Sequence, residues 1–378
     1  MGRRRGAAGR LAAICATFVF ALAMGCGLAG CDTATTGEVA AATEQTEWEL
    51  NRMTTAKAGT LANGVYGALG SFATGGDFAK AYIQKVTYEV GDVAVSGKTA
   101  TADVTLTCPD YAWVSNRALS IVRSDYTTPA SLTADALGQK AGEAMAAALG
   151  QDDVATKKHE VKLTLTKVGD SWVADDEAVR AVGLALWDGA IACEDGSWSY
   201  TDQGKLQLAQ MWVAMLAELA DDPSFFAQAF GLDADIEAEL EECGWTAEDY
   251  YRAVLGQAEV SVGETTVGDG TVSTVLQVTA LDGSHAMAAA SEAAVAYSQT
   301  EEAQELYRSQ GESAVQHEAY GALFDHLASD RDSAYQKDIT LDIAYSGQTA
   351  QLDTDAASQY VAMLAGQGAA DQQGAADQ

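Results

Sequence analysis

Two stretches of this chain, 172 residues apart, carry one pattern, and that duplication limits the fold more than any other feature. Residues 77–110 read DFAKAYIQKVTYEVGDVAVSGKTATADVTLTCPD, and residues 249–282 read DYYRAVLGQAEVSVGETTVGDGTVSTVLQVTALD, aligned without a gap. Asp77 and Asp249, Val90 and Val262, Gly91 and Gly263, Thr107 and Thr279, and Asp110 and Asp282 coincide. A second block repeats at a spacing of 178, with Val161, Leu163 and Leu165 matching Ile339, Leu341 and Ile343, Gly169 matching Gly347, and Asp175 matching Asp353. The spacing predicts two copies of one folded unit.

The period of the apolar residues says what that unit is. A short helix over 77–84, or 249–255, leads into a strand with apolar residues at every second position, Val86, Tyr88 and Val90. Beyond turns at Ser96-Gly97 and Gly268-Asp269-Gly270, Ala100, Ala102, Val104 and Leu106 alternate with Thr99, Thr101, Asp103 and Thr105. That is an antiparallel hairpin with one face on a core and one in water. A helical crossing follows. In the first copy it holds a helix capped by Thr133 and stopped by Gly150; in the second it runs over 284–329 with one break near Gly311. A second hairpin turns at Gly169-Asp170, a two-residue type I′ candidate, or near Ser346-Gly347. A closing helix covers 176–187 or 354–365. The expected fold class is α+β, two tandem repeats, each a curved antiparallel sheet made of two hairpins packed on helices. The expected organisation is a signal segment over 1–30, a flexible tether over 31–45, one unit over 46–190, a helical connector over 191–245, the second unit over 246–366 and a disordered tail over 367–378 with Gly-Ala-Ala-Asp-Gln repeated.

With Tyr88-Glu89-Val90-Gly91, Cys108-Pro109-Asp110 and Lys167-Val168-Gly169-Asp170-Ser171-Trp172 as landmarks, the chain resembles the repeated domains of Gram-positive, actinobacterial-type envelope lipoproteins of unknown function. Those domains are related to cystatin-like and nuclear-transport-factor-like cone folds. The resemblance covers most of 77–187 and, more weakly, 249–365, where the second copy lacks the Pro and the Trp. It implies a fold and carries over no catalytic residue.

The N-terminus supplies an address. Arg3, Arg4, Arg5 and Arg10 precede an apolar stretch from Leu11 to Met24, and small residues lead through Leu28-Ala29-Gly30 to Cys31. This is the pattern of a lipoprotein signal, cleaved between Gly30 and Cys31 with the lipid on Cys31. An uncleaved signal anchor is the rival reading, diluted by Gly25, Gly27 and Gly30. Cys26 is a weaker second candidate. The expected location is the extracytoplasmic face of the cell membrane, held by a lipid anchor.

Beyond residue 30 the chain has 18 Lys and Arg against 54 Asp and Glu, a formal net charge of −36. Such a surface repels nucleic acid, so the expected partners are the membrane, through the anchor, and an unknown protein or small apolar ligand. Three cysteines remain after Cys31, and Cys193–Cys243 is the candidate disulfide. The four histidines, His159, His285, His317 and His326, read as solvent-facing helix residues without metal-ligand spacing. No Gly-x-Ser-x-Gly elbow, Walker loop or dinucleotide fingerprint occurs. No catalytic, metal or cofactor site is therefore nominated. Tyr66, Phe72, Tyr88 and Trp172 either line a concave pocket or fill the core. The expected function is a non-enzymatic binding or structural module of the envelope, with a solute-binding lipoprotein serving a transporter as the alternative.

Overall fold

The computed structural model describes residues 34–54, 75–124, 129 and 131–367. Gly30, Cys31, Tyr66, Phe72 and residues 368–378 of the tail lie outside them.

The first helix, α1 (Thr36–Thr54), starts on a capping box. The Glu38 amide donates to Thr35 Oγ1 at 3.3 Å, and the Thr35 amide donates to Glu38 Oε2 at 3.1 Å. The expected tether over 31–45 is thereby corrected, because from Thr36 onward the chain is helical. The capping box, the alanine run 40–42 and the burial of Ala42, Thr46 and Leu50 together favour helix over coil.

The elements that follow are α2 (Gly75–Ile83), β1 (Thr87–Ser96), β2 (Thr99–Pro109), α3 (Tyr111–Ser124), α4 (Ala134–Leu149), β3 (Thr156–Val168), β4 (Ser171–Ala174) and α5 (Asp176–Leu186). The strands form one antiparallel sheet in the order β1-β2-β3-β4. The expected connector begins instead with a small hairpin, β5 (Ile191–Glu194) and β6 (Ser197–Tyr200), and only then turns helical through α6 (Asp202–Ala217), α7 (Pro223–Phe230) and α8 (Ala234–Glu242). Beyond them lie α9 (Ala247–Val254), β7 (Glu259–Val267), β8 (Thr271–Leu281), α10 (Gly283–Ser298), α11 (Glu301–Gln310), α12 (Glu312–Ser329), β9 (Ala334–Ser346), β10 (Thr349–Leu352) and α13 (Thr354–Leu364). The second sheet is also antiparallel, ordered β10-β9-β8-β7. The molecule is thus α+β.

The two sheets agree in register as well as in order. Thr87 pairs with Thr107 and Glu259 with Thr279; Thr99 pairs with Thr166 and Thr271 with Ala344; Leu165 pairs with Ala174 and Ile343 with Leu352. Both first strands break register at equivalent places, between Val90 and Val93 and between Val262 and Thr265. A glycine sits in each bulge because a side chain there would crowd the next strand. A Cβ on Gly91 would lie 3.3 Å from the Asp103 carbonyl oxygen, and one on Gly263 would lie 3.1 Å from that of Val275. Pro109 is replaced by Leu281 in the second sheet, yet the chain leaves the strand the same way. The Asp110 amide donates to Ala155 O at 2.8 Å and the Asp282 amide to Ser333 O at 2.9 Å.

Two local expectations change. At the β3–β4 turn only Gly169 has positive φ, 64°, which is the sign pattern of a type II′ turn and not type I′. Asp170 keeps the backbone conformation natural to an L-residue. The crossing of the second unit breaks twice, because Thr300 caps α11 by accepting from the Ala303 amide at 3.1 Å before the break at Gly311.

The main core runs through both sheets without interruption. Ala102, Val104, Leu106, Leu163 and Leu165 face it from the first sheet, and Val272, Leu276, Val278, Leu341 and Ile343 from the second. Helix α6 packs on β7 and β8 of the second sheet and on α3 and α4 of the first half, burying Leu208, Met211, Trp212, Val213, Met215 and Leu216. A smaller cluster joins Leu240, Ala286, Ala290, Phe324 and Leu327 beneath α8, α10 and α12.

Candidate functional site

Of the residues expected to line a pocket, the structure describes Tyr88 and Trp172. Both belong to the inner face of the first sheet, which α1 crosses. Tyr88 is half-buried, and its hydroxyl donates to the Glu47 carbonyl at 3.3 Å. Trp172 is buried, with Lys167 Nζ 5.6 Å from its ring centroid. Lys167 also pairs with Glu38 at 3.0 Å, which holds the carboxyl of Glu38 below the usual carboxylate range. These residues therefore fasten α1 to the sheet.

The candidate disulfide is corrected, since Cys193 and Cys243 are both free, as is Cys108. Different elements hold them. Cys193 pairs with Trp198 in the β5–β6 hairpin, whose Tyr200 amide donates to Gly347 O at 3.3 Å. Cys243 caps α8 and points at α12, its Sγ 3.8 Å from Gln316 Oε1.

A cluster of ionisable groups that the sequence did not point to lies at the far end of the first sheet. Lys157 and His159 fall in the inward phase of β3, opposite Cys108 and Leu106. Asp188, just past α5 at φ 43°, receives a hydrogen bond from Lys157 Nζ at 2.5 Å and lies 3.7 Å from His159 Nε2. Asp110 lies 3.5 Å from the same ammonium and accepts from the Trp113 amide at 3.2 Å, at the start of α3. His159 was expected on a solvent-facing helix; it sits on a strand, turned inward. Its phase with Val161 and Leu163 was the available signal, a basic pair continuing an apolar alternation.

Beside these groups Phe78, Tyr82, Tyr111 and Trp187 form an aromatic box, with Tyr82 and Trp187 stacked at 4.6 Å. The Tyr82 hydroxyl lies 2.6 Å from Pro109 O and 2.7 Å from Leu186 O, joining α2 to the ends of β2 and α5.

Burial and hydrogen bonding shift several groups at this end of the sheet. Burial, and secondarily the Asp188 charge, push the Cys108 thiol up to about 12, so it holds its proton where a nucleophile needs a thiolate. Burial also raises the phenols of Tyr82 and Tyr111. The hydrogen bond to Asp188 raises Lys157 further above neutrality. Each of these shifted groups therefore holds its proton at neutral pH. Among the described residues no group of three or more His, Cys, Asp or Glu could hold a metal ion, and no helix is long and apolar enough to cross a membrane.

No protein-family model, curated protein or solved structure matches the chain.

Proposed function

We propose that the chain is a lipid-anchored envelope protein whose folded part serves as a non-enzymatic binding or structural module at the extracytoplasmic face of the membrane. The observation that carries this reading is the sequence Leu28-Ala29-Gly30-Cys31 behind four arginines and an apolar stretch, with a capped helix beginning immediately afterwards. The raised Cys108 thiol and Lys157 ammonium speak against these two groups as nucleophiles at neutral pH.

We also infer that the fold is a tandem repeat, as the resemblance to repeated envelope lipoprotein domains implies. Equal strand order, equal bulge positions and cross-strand pairs that coincide at offsets of 172 and 178 support it. The second copy then includes α6 as the counterpart of α1. Lys167 reaches Glu38 on α1, and at the equivalent strand position the Tyr345 hydroxyl donates to Lys205 O on α6 at 2.9 Å.

Metabolic labelling with a fatty-acid probe tests the anchor. The wild type takes up label and fractionates with membranes, and Cys31→Ala loses both. Retained labelling in Cys31→Ala overturns the assignment.

A further inference from the structure

If Cys31 carries the lipid, the structure leaves little leash. The Thr35 cap stands four residues beyond Cys31, a reach of at most about 14 Å at roughly 3.5 Å per residue. The polar region of a leaflet is itself about 5–7 Å thick. The start of α1 must therefore stay against the headgroups, and whatever part of the fold surrounds it meets the membrane.

That part is the turn end of the first sheet. The Glu38–Lys167 pair places the start of α1 beside the β3–β4 turn, and the Lys167 amide donates to Lys98 O at 2.8 Å in the neighbouring β1–β2 turn. Val168 and Val173 stand on the outer face of this hairpin, 64 % and 45 % exposed. Their counterparts in the second sheet are polar, Ser346 and Gln351. The second sheet also shows what covers such a turn. The segment leading into α6 is the β5–β6 hairpin, and it lies on the β9–β10 turn through the bond from Tyr200 to Gly347. In the first sheet the segment leading into α1 is, on the anchored reading, the anchor, and among the described residues nothing lies within 4 Å of where a Gly169 Cβ would be.

Charge agrees with this orientation. Residues 31–190 hold 13 Lys and Arg against 21 Asp and Glu, a formal −8, whereas residues 191–378 hold 5 against 33, a formal −28. An anionic bilayer surface repels the second half far more strongly than the first.

Resting on the anchored reading, we propose that the β3–β4 and β1–β2 turns form a membrane-contact surface. Val168 and Val173 lie in the headgroup layer, Lys98 is within reach of lipid phosphate, and the acidic second unit points away. The test is the lipidated full-length protein in phosphatidylglycerol–phosphatidylcholine vesicles, with a photo-crosslinking amino acid at position 168 or, separately, at Tyr307, which is 58 % exposed in the second unit. The mass of the N-terminal lipopeptide is read from the same sample. Lipid at Cys31 with lipid adducts several-fold more abundant at 168 than at 307 is the expected result. A long Gly-Ser insertion between Ala34 and Thr35 should then reduce the adducts at 168 to the level at 307. Lipid at Cys31 with equal adducts at the two sites overturns the orientation alone. An unlipidated Cys31 overturns the anchored reading and this proposal with it.

Discussion

The two sheets share one hydrogen-bonded frame but are closed by different side chains. Lys167 and Tyr345 occupy the same position; one makes an ion pair with α1, while the other hydrogen-bonds to α6 and packs its ring against Tyr200 at 5.7 Å. Cys108 of the first sheet corresponds to Ala280, and Trp172 to Ala350. The helical crossings differ more. Helices α3 and α4 bury Val114, Ala118, Leu137, Ala141 and Met145, whereas α10, α11 and α12 bury Ala286, Ala290, Ala303, Phe324 and Leu327 and leave Val295 and Tyr307 exposed. Main-chain pairing thus tolerates wide change in the residues that cover it, because register depends on strand alternation, bulges and turns.

The largest expected effect tests whether the two halves can be separated at all. Trp212 is fully buried in α6, within the core shared by both sheets. Trp212→Ala should cost about 3–5 kcal/mol, and calorimetry should still show one transition moved to lower temperature. Two transitions with only one displaced would mean that the halves fold independently.

Cys108, which Ala280 replaces in the second sheet, gives the first half an alkaline sensitivity. Its folded pKa is raised from 9.0 to about 12, so the associated stability is complete below pH 9 and is lost as pH climbs toward 12. The loss is on the order of a few kcal/mol. Denaturation midpoints across that window should fall less steeply in Cys108→Ala than in wild type. Parallel slopes would assign the alkaline loss to other groups.

A smaller contrast lies in two buried phenols. Tyr82 reaches two carbonyls, Pro109 O and Leu186 O, while Tyr360 reaches one, Leu216 O at 2.6 Å. Tyr82→Phe should cost about 1–3 kcal/mol and Tyr360→Phe roughly 0.5–1.5 kcal/mol. Urea midpoints in the reverse order would show that the latch at the end of the first sheet is the weaker one. The smallest effect concerns the bulges. Gly91→Ala and Gly263→Ala should each cost about 1 kcal/mol through crowding of the adjacent strand. A cost at one site and none at the other would break the equivalence of the two hairpins.

The strands were legible in the sequence because alternation and turn glycines are local signals, and Val86–Val90 and Ala100–Leu106 display them plainly. Helix α1 is not legible as a helix although Thr35 and Glu38 have capping-box spacing, since a polar, alanine-rich stretch with few large apolar residues also reads as a tether. The β5–β6 hairpin was missed because strands of four residues are too short for periodicity to register. The cluster at Asp188 was hidden for another reason. Lys157, Asp110 and Asp188 converge from two strand ends and a helix end, and no sequence spacing encodes that meeting.

By itself the sequence determined the α+β class and the pairing pattern within each hairpin, both of which depend on neighbours a few residues apart. Tertiary structure alone decided that one core joins the two sheets, that α6 packs the second sheet against α3 and α4, and that Cys193 and Cys243 stay apart. Those outcomes depend on which apolar faces find each other over distances of a hundred residues or more, where burial is non-directional and leaves no periodic trace.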